Sequence, residues 1–325
     1  MRHVIRLLCT LALLVFATTG PAMRAADQVN AIIEALPGAQ VSRDPIVREG
    51  ATTKVSPHVY VIPDDDVPLV PNVGIIVGSR ATLVIDTGLG PRSGEAIVRE
   101  VAKVSQGAEL FLAVTHVHPE HDLGAQAFPA GTKMLRSRGQ DADIAEFGLQ
   151  LANTFASQSP IRAQLLNRAV YRKTDITIDQ QYTLDLGGVR VRMEAVGPTH
   201  TRGDTVFFVE GDAALFAGDV VMSAFPAFAS PYSSVRAWLA AMDRLEMMKP
   251  KVIVPSHGRL VDVGAIAKYR EYLREVQSRT QALKRQGKSA DEAAQLVQTA
   301  LQARFADMAQ PGRIAGAVKA AYQEP

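Results

Sequence analysis

The segment LFLAVTHVHPEHDLGA, residues 110–125, runs from an apolar stretch directly into three histidines and two carboxylates. Leu110 to Val114 has the short apolar character of a buried strand. His116 and His118 follow two positions apart, so on extended backbone both side chains point to the same side. Pro119 presets a helical φ, which suits a helix beginning there and returning His121 over the same edge. A neutral imidazole nitrogen is the commonest protein ligand for zinc near neutral pH. The run follows the zinc signature H-x-H-x-D-H except at one place, where Glu120 stands for Asp. A strand end carrying ligands into a helix start is the arrangement of an α/β domain, whose sites form beyond the ends of its strands.

The same arrangement recurs along the chain. Val59–Ile62, Val73–Val77 and Ala81–Ile85 read as strands, with Gly78-Ser79-Arg80 as the turn of a hairpin. Ser93 is expected to cap a helix through Ala96, Ile97, Val101 and Val104. Residues 136–180 read as helical and partly loop. Residues 189–195 alternate strictly, Thr205–Val209 and Ala213–Ala217 flank a turn at residues 210–212, and Lys251–Pro255 is the last apolar run. A helix capped near Ser233 or Ser234 would bury Val235, Trp238, Leu239, Met242 and Leu245. From Gly264 onward the pattern is helical, interrupted at KRQGKSADE. Hairpins first, then strand–helix alternation, predict one α/β domain of sheets covered by helices, with the C-terminal helices either an appendage or a cover.

Outside the 110–125 segment, His200 and His257 also follow strand-like runs, as do Asp86 in LVIDTG and Asp219 in FAGD. A buried acid at a strand end is costly unless it is paired or bound to metal. For Asp86 a loop-capping role stands beside a metal-site role. His58 stands alone near a strand start and reads as an ordinary hydrogen-bonded residue.

The 325 residues, 47% hydrophobic and 21% charged, have ample length for a buried core. Arg2, His3 and Arg6 precede an apolar run over residues 7–17 and then TTGPAMRAA, the pattern of a secretory signal peptide over residues 1–26. An uncleaved anchor is the second reading, although the run is shorter than the ~20 residues of a membrane span. Removing this leader takes away three arginines and no acid, so the formal charge passes from +2 to −1. Nucleic acid is therefore not an expected partner, and a small molecule is. Cys9, the one cysteine, lies in the leader, so the mature chain would have no thiol for a disulfide, a nucleophile or a metal. The expected location is the periplasm or the exterior, with residues 27–325 as a single domain.

The ordered motifs LVIDTG, THVHPEH, GPTHTRGD, FAGD and VPSHG resemble the metallo-β-lactamase superfamily over about residues 55–262. The resemblance implies a four-layer αββα sandwich with the metal site at the edge where the sheets meet, here followed by extra C-terminal helices over about 264–325. It further implies two Zn²⁺ ions. His116, His118 and His200 would hold one and His121 and His257 the other, with Asp219 bridging and Glu120 at the place of the family's aspartate ligand. Asp86 would orient the metal-binding loop. Glu120 and Asp219 are the expected catalytic carboxylates.

Zinc chemistry of this kind lowers the pKa of a bound water to roughly 7, so the expected reaction is hydrolysis of an amide, lactone or ester by a metal-bound hydroxide, a β-lactam among the substrates. Two further readings remain. One is an exported metallohydrolase similar to those associated with quinoprotein or sulfur-oxidation systems, and the other is a non-catalytic zinc-binding protein. Glutamate is longer than aspartate by one C–C bond of about 1.5 Å. Glu120 would thus ligate in an altered geometry, hydrogen-bond a metal-bound water, or leave the second metal weakly held. Asp122 is a candidate substitute, although one helical step past His121 turns it about 100° away. The loops at residues 67–74, 136–180 and 223–234 are the expected pocket walls, with Phe225, Phe228 and Tyr232 as candidate lining. Arg202 and Arg259 are candidate partners for a substrate carboxylate.

Overall fold

The computed structural model describes residues 44–107 and 109–325. The expected leader, Cys9 and the short helix suggested by residues 29–33 lie outside the described residues. The described residues belong to one compact unit.

Two sheets form the centre. The first holds β1 (Thr53–Lys54), β2 (Val59–Ile62), β3 (Val73–Val77), β4 (Ala81–Ile85), β5 (Glu109–Ala113), β6 (Lys133–Ser137) and β7 (Ile176–Ile178), paired in that order. Its first four strands form an antiparallel meander, and from β4 to β7 every pairing is parallel. The second holds β8 (Gln181–Asp185), β9 (Arg190–Ala195), β10 (Thr205–Val209), β11 (Ala214–Gly218) and β12 (Val252–Pro255) in the order β12-β11-β10-β9-β8. Only β11 and β12 run parallel there.

Side-chain parity shows how the layers stack. Leu83 and Ile85 of β4 meet Met193, Phe207 and Phe216 of the second sheet in one core, the seam between the sheets. Val84, between them, points the other way, into a core with Ile97 and Val101 of helix α1 (Pro91–Val104). Val206 and Phe208 of β10 likewise face a third core under the C-terminal helices. Strands buried on both faces carry nearly continuous apolar runs, as β3, β4, β10 and β11 do. At Gly74 the sheets approach so closely that a Cβ would lie 2.4 Å from the Phe216 ring. The result is the expected αββα sandwich.

The remaining helices are α2 (Pro119–Asp122), α3 (Arg138–Asp143), a π-helical turn over Ile144–Gly148, α4 (Leu149–Ser157), α5 (Pro160–Leu165), α6 (Val235–Met247), α7 (Gly264–Arg285), α8 (Ala290–Arg304) and α9 (Ile314–Gln323). The C-terminal helices are a cover and no appendage. Tyr269, Tyr272, Val297 and Val318 share a core with Leu215, Ile253 and Trp238. The Tyr269 hydroxyl accepts the Met222 N–H at 3.1 Å and donates to the Ala224 carbonyl. Among the described residues no helix is long and apolar enough to cross a membrane.

Two expectations need correction. Ser93 does not cap α1; the helix starts at Pro91 after Gly90, and Ser93 sits inside, where its hydroxyl accepts from Val47 N. Proline at the first helical position removes one orphan donor, so the start lies upstream of the serine. The 136–180 region also contributes the end of β6 and all of β7, parallel strands too short to show alternation.

Candidate metal centre

Every candidate donor stands just beyond a strand. Asp86 follows β4, the His116–His121 loop follows β5, His200 follows β9, Asp219 follows β11 and His257 follows β12. Residues scattered over the sequence thereby converge at one end of the seam. Gly218 turns the chain with φ +59, and a Cβ there would come within 2.8 Å of Thr115 on the histidine loop. His118 closes the extended segment as the residue before α2, whose first position is Pro119, as the sequence predicts.

Three imidazole nitrogens meet on one side. His118 Nδ1 lies 3.0 Å from His116 Nε2 and 3.3 Å from His200 Nε2. Tetrahedral donors about 2.0–2.1 Å from a zinc ion stand about 3.3 Å apart, so the spacing fits a shared cation. Beside them, His116, His121 and Asp219 bring one donor atom each within 4.8 Å of one another, and so do Glu120, His121 and His257. The structure thus collects all of the expected ligand residues, Glu120 included, into overlapping groups that can hold metal.

The other ring nitrogen of four of these histidines is already engaged. His116 Nδ1 meets Thr115 Oγ1 at 3.1 Å, and His121 Nδ1 meets Asp86 Oδ2 at 3.0 Å. His200 Nδ1 is bound by the Ala227 carbonyl at 2.7 Å and His257 Nδ1 by the Val70 carbonyl at 2.9 Å. Such partners fix tautomer and ring orientation, leaving Nε2 free to point at the centre. Asp86, with φ 67, also accepts from the Thr115 backbone N–H at 2.7 Å and from its hydroxyl. One carboxylate therefore ties β4 to both ends of the histidine loop.

Three donor atoms stay unpaired in the interior: His121 Nε2, Glu120 Oε2 and Asp219 Oδ1. Buried polar atoms are rarely left so, and cations held by the two overlapping groups that contain them would satisfy them. Burial, aided by the surrounding imidazoles, pushes His116 and His118 well below the usual histidine range and keeps them in the neutral form that binds metal. Burial raises Glu120 against the pull of His121 and His257. Burial also opposes ionisation of Asp219, yet the fields of His200, His257 and His121 hold it well below the carboxylate range. Burial lowers His121, but Asp86, Glu120 and Asp219 outweigh it and lift it to about 9.

Several candidates lie elsewhere. Asp122 is fully buried with both oxygens on the Arg136 guanidinium, Nε to Oδ2 at 2.9 Å, so it has none to spare. Arg202 is held by Asp143 at 2.6 Å and Glu146 at 2.7 Å, its guanidinium 4.2 Å over the Tyr232 ring. Arg259 is exposed. Phe225 and Phe228 pack into the core, the latter against Trp238. His58 is exposed and bonded to Asp212 at 2.8 Å.

Sequence reasoning passed over Asn72 and Asp64. Asn72 donates to the Pro255 and Gly258 carbonyls and accepts from Asp64 N, while Asp64 Oδ2 accepts from Gly258 N at 2.7 Å. Together they lock the β2–β3 loop to the His257 turn. The only signal was an asparagine just before a strand, which reads equally as a turn residue. Asp204, the last residue of GPTHTRGD, gathers Thr199 and Thr201 around His200 in the same fashion.

The layers and the converging donors define a sandwich fold with a site that could hold metal. A family profile described as the Metallo-beta-lactamase superfamily matches residues 66–257, and the chain belongs to that superfamily. No curated protein matches the chain by sequence. Among solved structures it is similar to the stereoselective inverting sec-alkylsulfatase Pisa1 from Pseudomonas sp. (TM-score 0.65, 16% identity), over 84% of this chain and 50% of that one. The chain thus spans about half the length of the alkylsulfatase. A metallo-beta-lactamase family protein from Thermus thermophilus matches with TM-score 0.58 and 20% identity over 83% of this chain and 93% of its own. A metallo-beta-lactamase from Pontibacter korlensis matches with TM-score 0.53 and 21% identity over 69% and 98%. At these identities the structural likeness carries the fold.

Proposed function

We propose that the protein is a zinc-dependent hydrolase of small amide, lactone or ester substrates. In this reading His116, His118 and His200 would hold one ion and Glu120, His121 and His257 a second, with Asp219 as a further ligand beside His116 and His121. The observation that carries it is the set of unpaired buried donors, His121 Nε2, Glu120 Oε2 and Asp219 Oδ1, beside a trio of imidazole nitrogens at tetrahedral spacing. A bound zinc pair supplies Lewis acidity, which polarises a carbonyl and lowers the pKa of water from about 15.7 to about 7.

The chain's own residues do the rest. Asp86 and the Ala227 and Val70 carbonyls keep the rings aimed inward. Asp219 and Glu120 each keep one carboxylate oxygen unpaired for the ions. Asp219, held ionised, would orient the attacking water, and Glu120, raised by burial, is the better placed to take its proton. The leader-like residues 1–26 support an exported enzyme whose single domain spans residues 27–325.

Metal analysis of the dialysed protein is expected to find close to two zinc ions per chain. Turnover of a chromogenic cephalosporin, a lactone or an aryl ester should stop with chelator and with His118→Ala. Retention of no metal, or full activity in His118→Ala, rejects the reading. A sulfate ester is the second reading, because the alkylsulfatase shares the fold with TM-score 0.65 over 84% of this chain. Hydrolysis of secondary alkyl sulfates without acyl turnover selects it.

A further inference from the structure

We propose that a cavity beside His118 receives the apolar acyl or alkyl part of the substrate, so that the enzyme selects neutral aliphatic substrates over charged ones. The inference rests on the hydrolase reading above and specifies its substrate class. The cavity has a volume of about 290 Å³. His118 forms part of its wall together with Val117, Phe147, Leu151, Ala229 and Pro231, and the other lining groups are neutral amides and hydroxyls. The residue that reaches into the candidate metal centre thus also borders an apolar recess, the combination expected of a small-molecule site.

Both walls are held in place. On one side Ala229 N donates to the His200 carbonyl at 3.0 Å and Ser233 Oγ to the same oxygen at 2.8 Å, fixing the 223–234 loop beside that ligand. On the other, the π-helical turn and α4 carry Phe147 and Leu151, and the Phe155 ring lies 5.9 Å from the His118 ring. Glu146 of that turn binds Arg202 at 2.7 Å and the Tyr232 hydroxyl at 2.7 Å, joining the two walls. Arg202, the sequence's candidate partner for a substrate carboxylate, is thus paired with two carboxylates of the chain itself, Asp143 and Glu146. No cation lines the cavity among the described residues. Phe147, Gln150 and Thr154 also border an outer groove of about 690 Å³, through which a longer chain can leave.

The test uses acetate, butyrate and hexanoate as product-like probes, their binding followed by the visible spectrum of the cobalt-loaded protein. The matching p-nitrophenyl esters are assayed in parallel on the zinc-loaded protein. Affinity is expected to rise about fourfold per added methylene, and kcat/KM with it. Leu151→Arg, at a half-buried position on α4, should lower hexanoate affinity at least tenfold relative to acetate and improve binding of adipate. A flat series, or a rising series that Leu151→Arg does not touch, overturns the cavity as the binding site. Rising carboxylate affinity with no ester turnover leaves the cavity standing and removes the hydrolase reading. Chain-length-independent turnover does the reverse.

Discussion

The departure at Glu120 is less disruptive than its extra methylene implies. The side chain is buried, its Oε1 lies 3.9 Å from His121 Nε2, and its Oε2 is unpaired. Glutamate therefore reaches the group that it would complete with His257. Reach without a fitted length predicts a weaker hold, so Glu120→Asp is expected to tighten the second zinc equivalent in a competition titration and leave the first unchanged. Equal affinities in both proteins would make Glu120 irrelevant to metal. Asp86 acts differently, through His121 Nδ1 and the Thr115 amide. Asp86→Asn is expected to weaken metal binding about 10–100-fold, as loss of a ligand's supporting partner does elsewhere. The histidines were legible because their spacing is local and chemically unusual. Asn72 was not, because its partners Pro255 and Gly258 lie far along the chain and only the fold joins them.

Among the elements, those marked by caps and alternation could be read directly. Ser234 accepts from Ala237 N at the start of α6, as its position before an amphipathic stretch implies. The break before α8 is a capping box, in which Ser289 and Glu292 satisfy each other's backbone donors. The Ser289 N–H and Lys288 pull Glu292 from the ordinary 4.5 down to about 2. A folded-state pKa below the unfolded one gives stability that is present above about pH 4.5 and lost as pH falls toward 2. Wild type and Glu292→Gln should therefore differ in Tm at pH 6 and converge near pH 2, measured by circular dichroism. A difference that grows on acidification would assign the stabilisation to another group. The short parallel strands β6 and β7 escaped notice because the burial of such short strands depends on neighbours far away in sequence. The π-helical turn has no sequence signature at all, yet it carries Phe147 to the cavity wall and Glu146 to Arg202 and Tyr232.

At the scale of the molecule, three stacked cores tie the metal end of the seam to helices on both outer faces. The order of motifs made the sandwich legible. The placement of the C-terminal helices was not legible, since an amphipathic face does not say what it covers. Their contact with the second sheet is deep, and Trp238 at its centre is fully buried with its indole N–H on the Val220 carbonyl.

One bond in that contact has a consequence for motion. The Met222 amide, a few residues past Asp219, ends on the hydroxyl of Tyr269 in α7. Its hydrogen exchanges with solvent once that bond opens, so Met222 becomes a clock for the parting of α7 from the segment after β11. Protection at this amide should match that of the α7 core, and Tyr269→Phe should accelerate its exchange selectively, as read by NMR. If Met222 exchanges quickly in the wild type, the segment after Asp219 opens without the helices. If it is slow, the chain breathes there as one cooperative body.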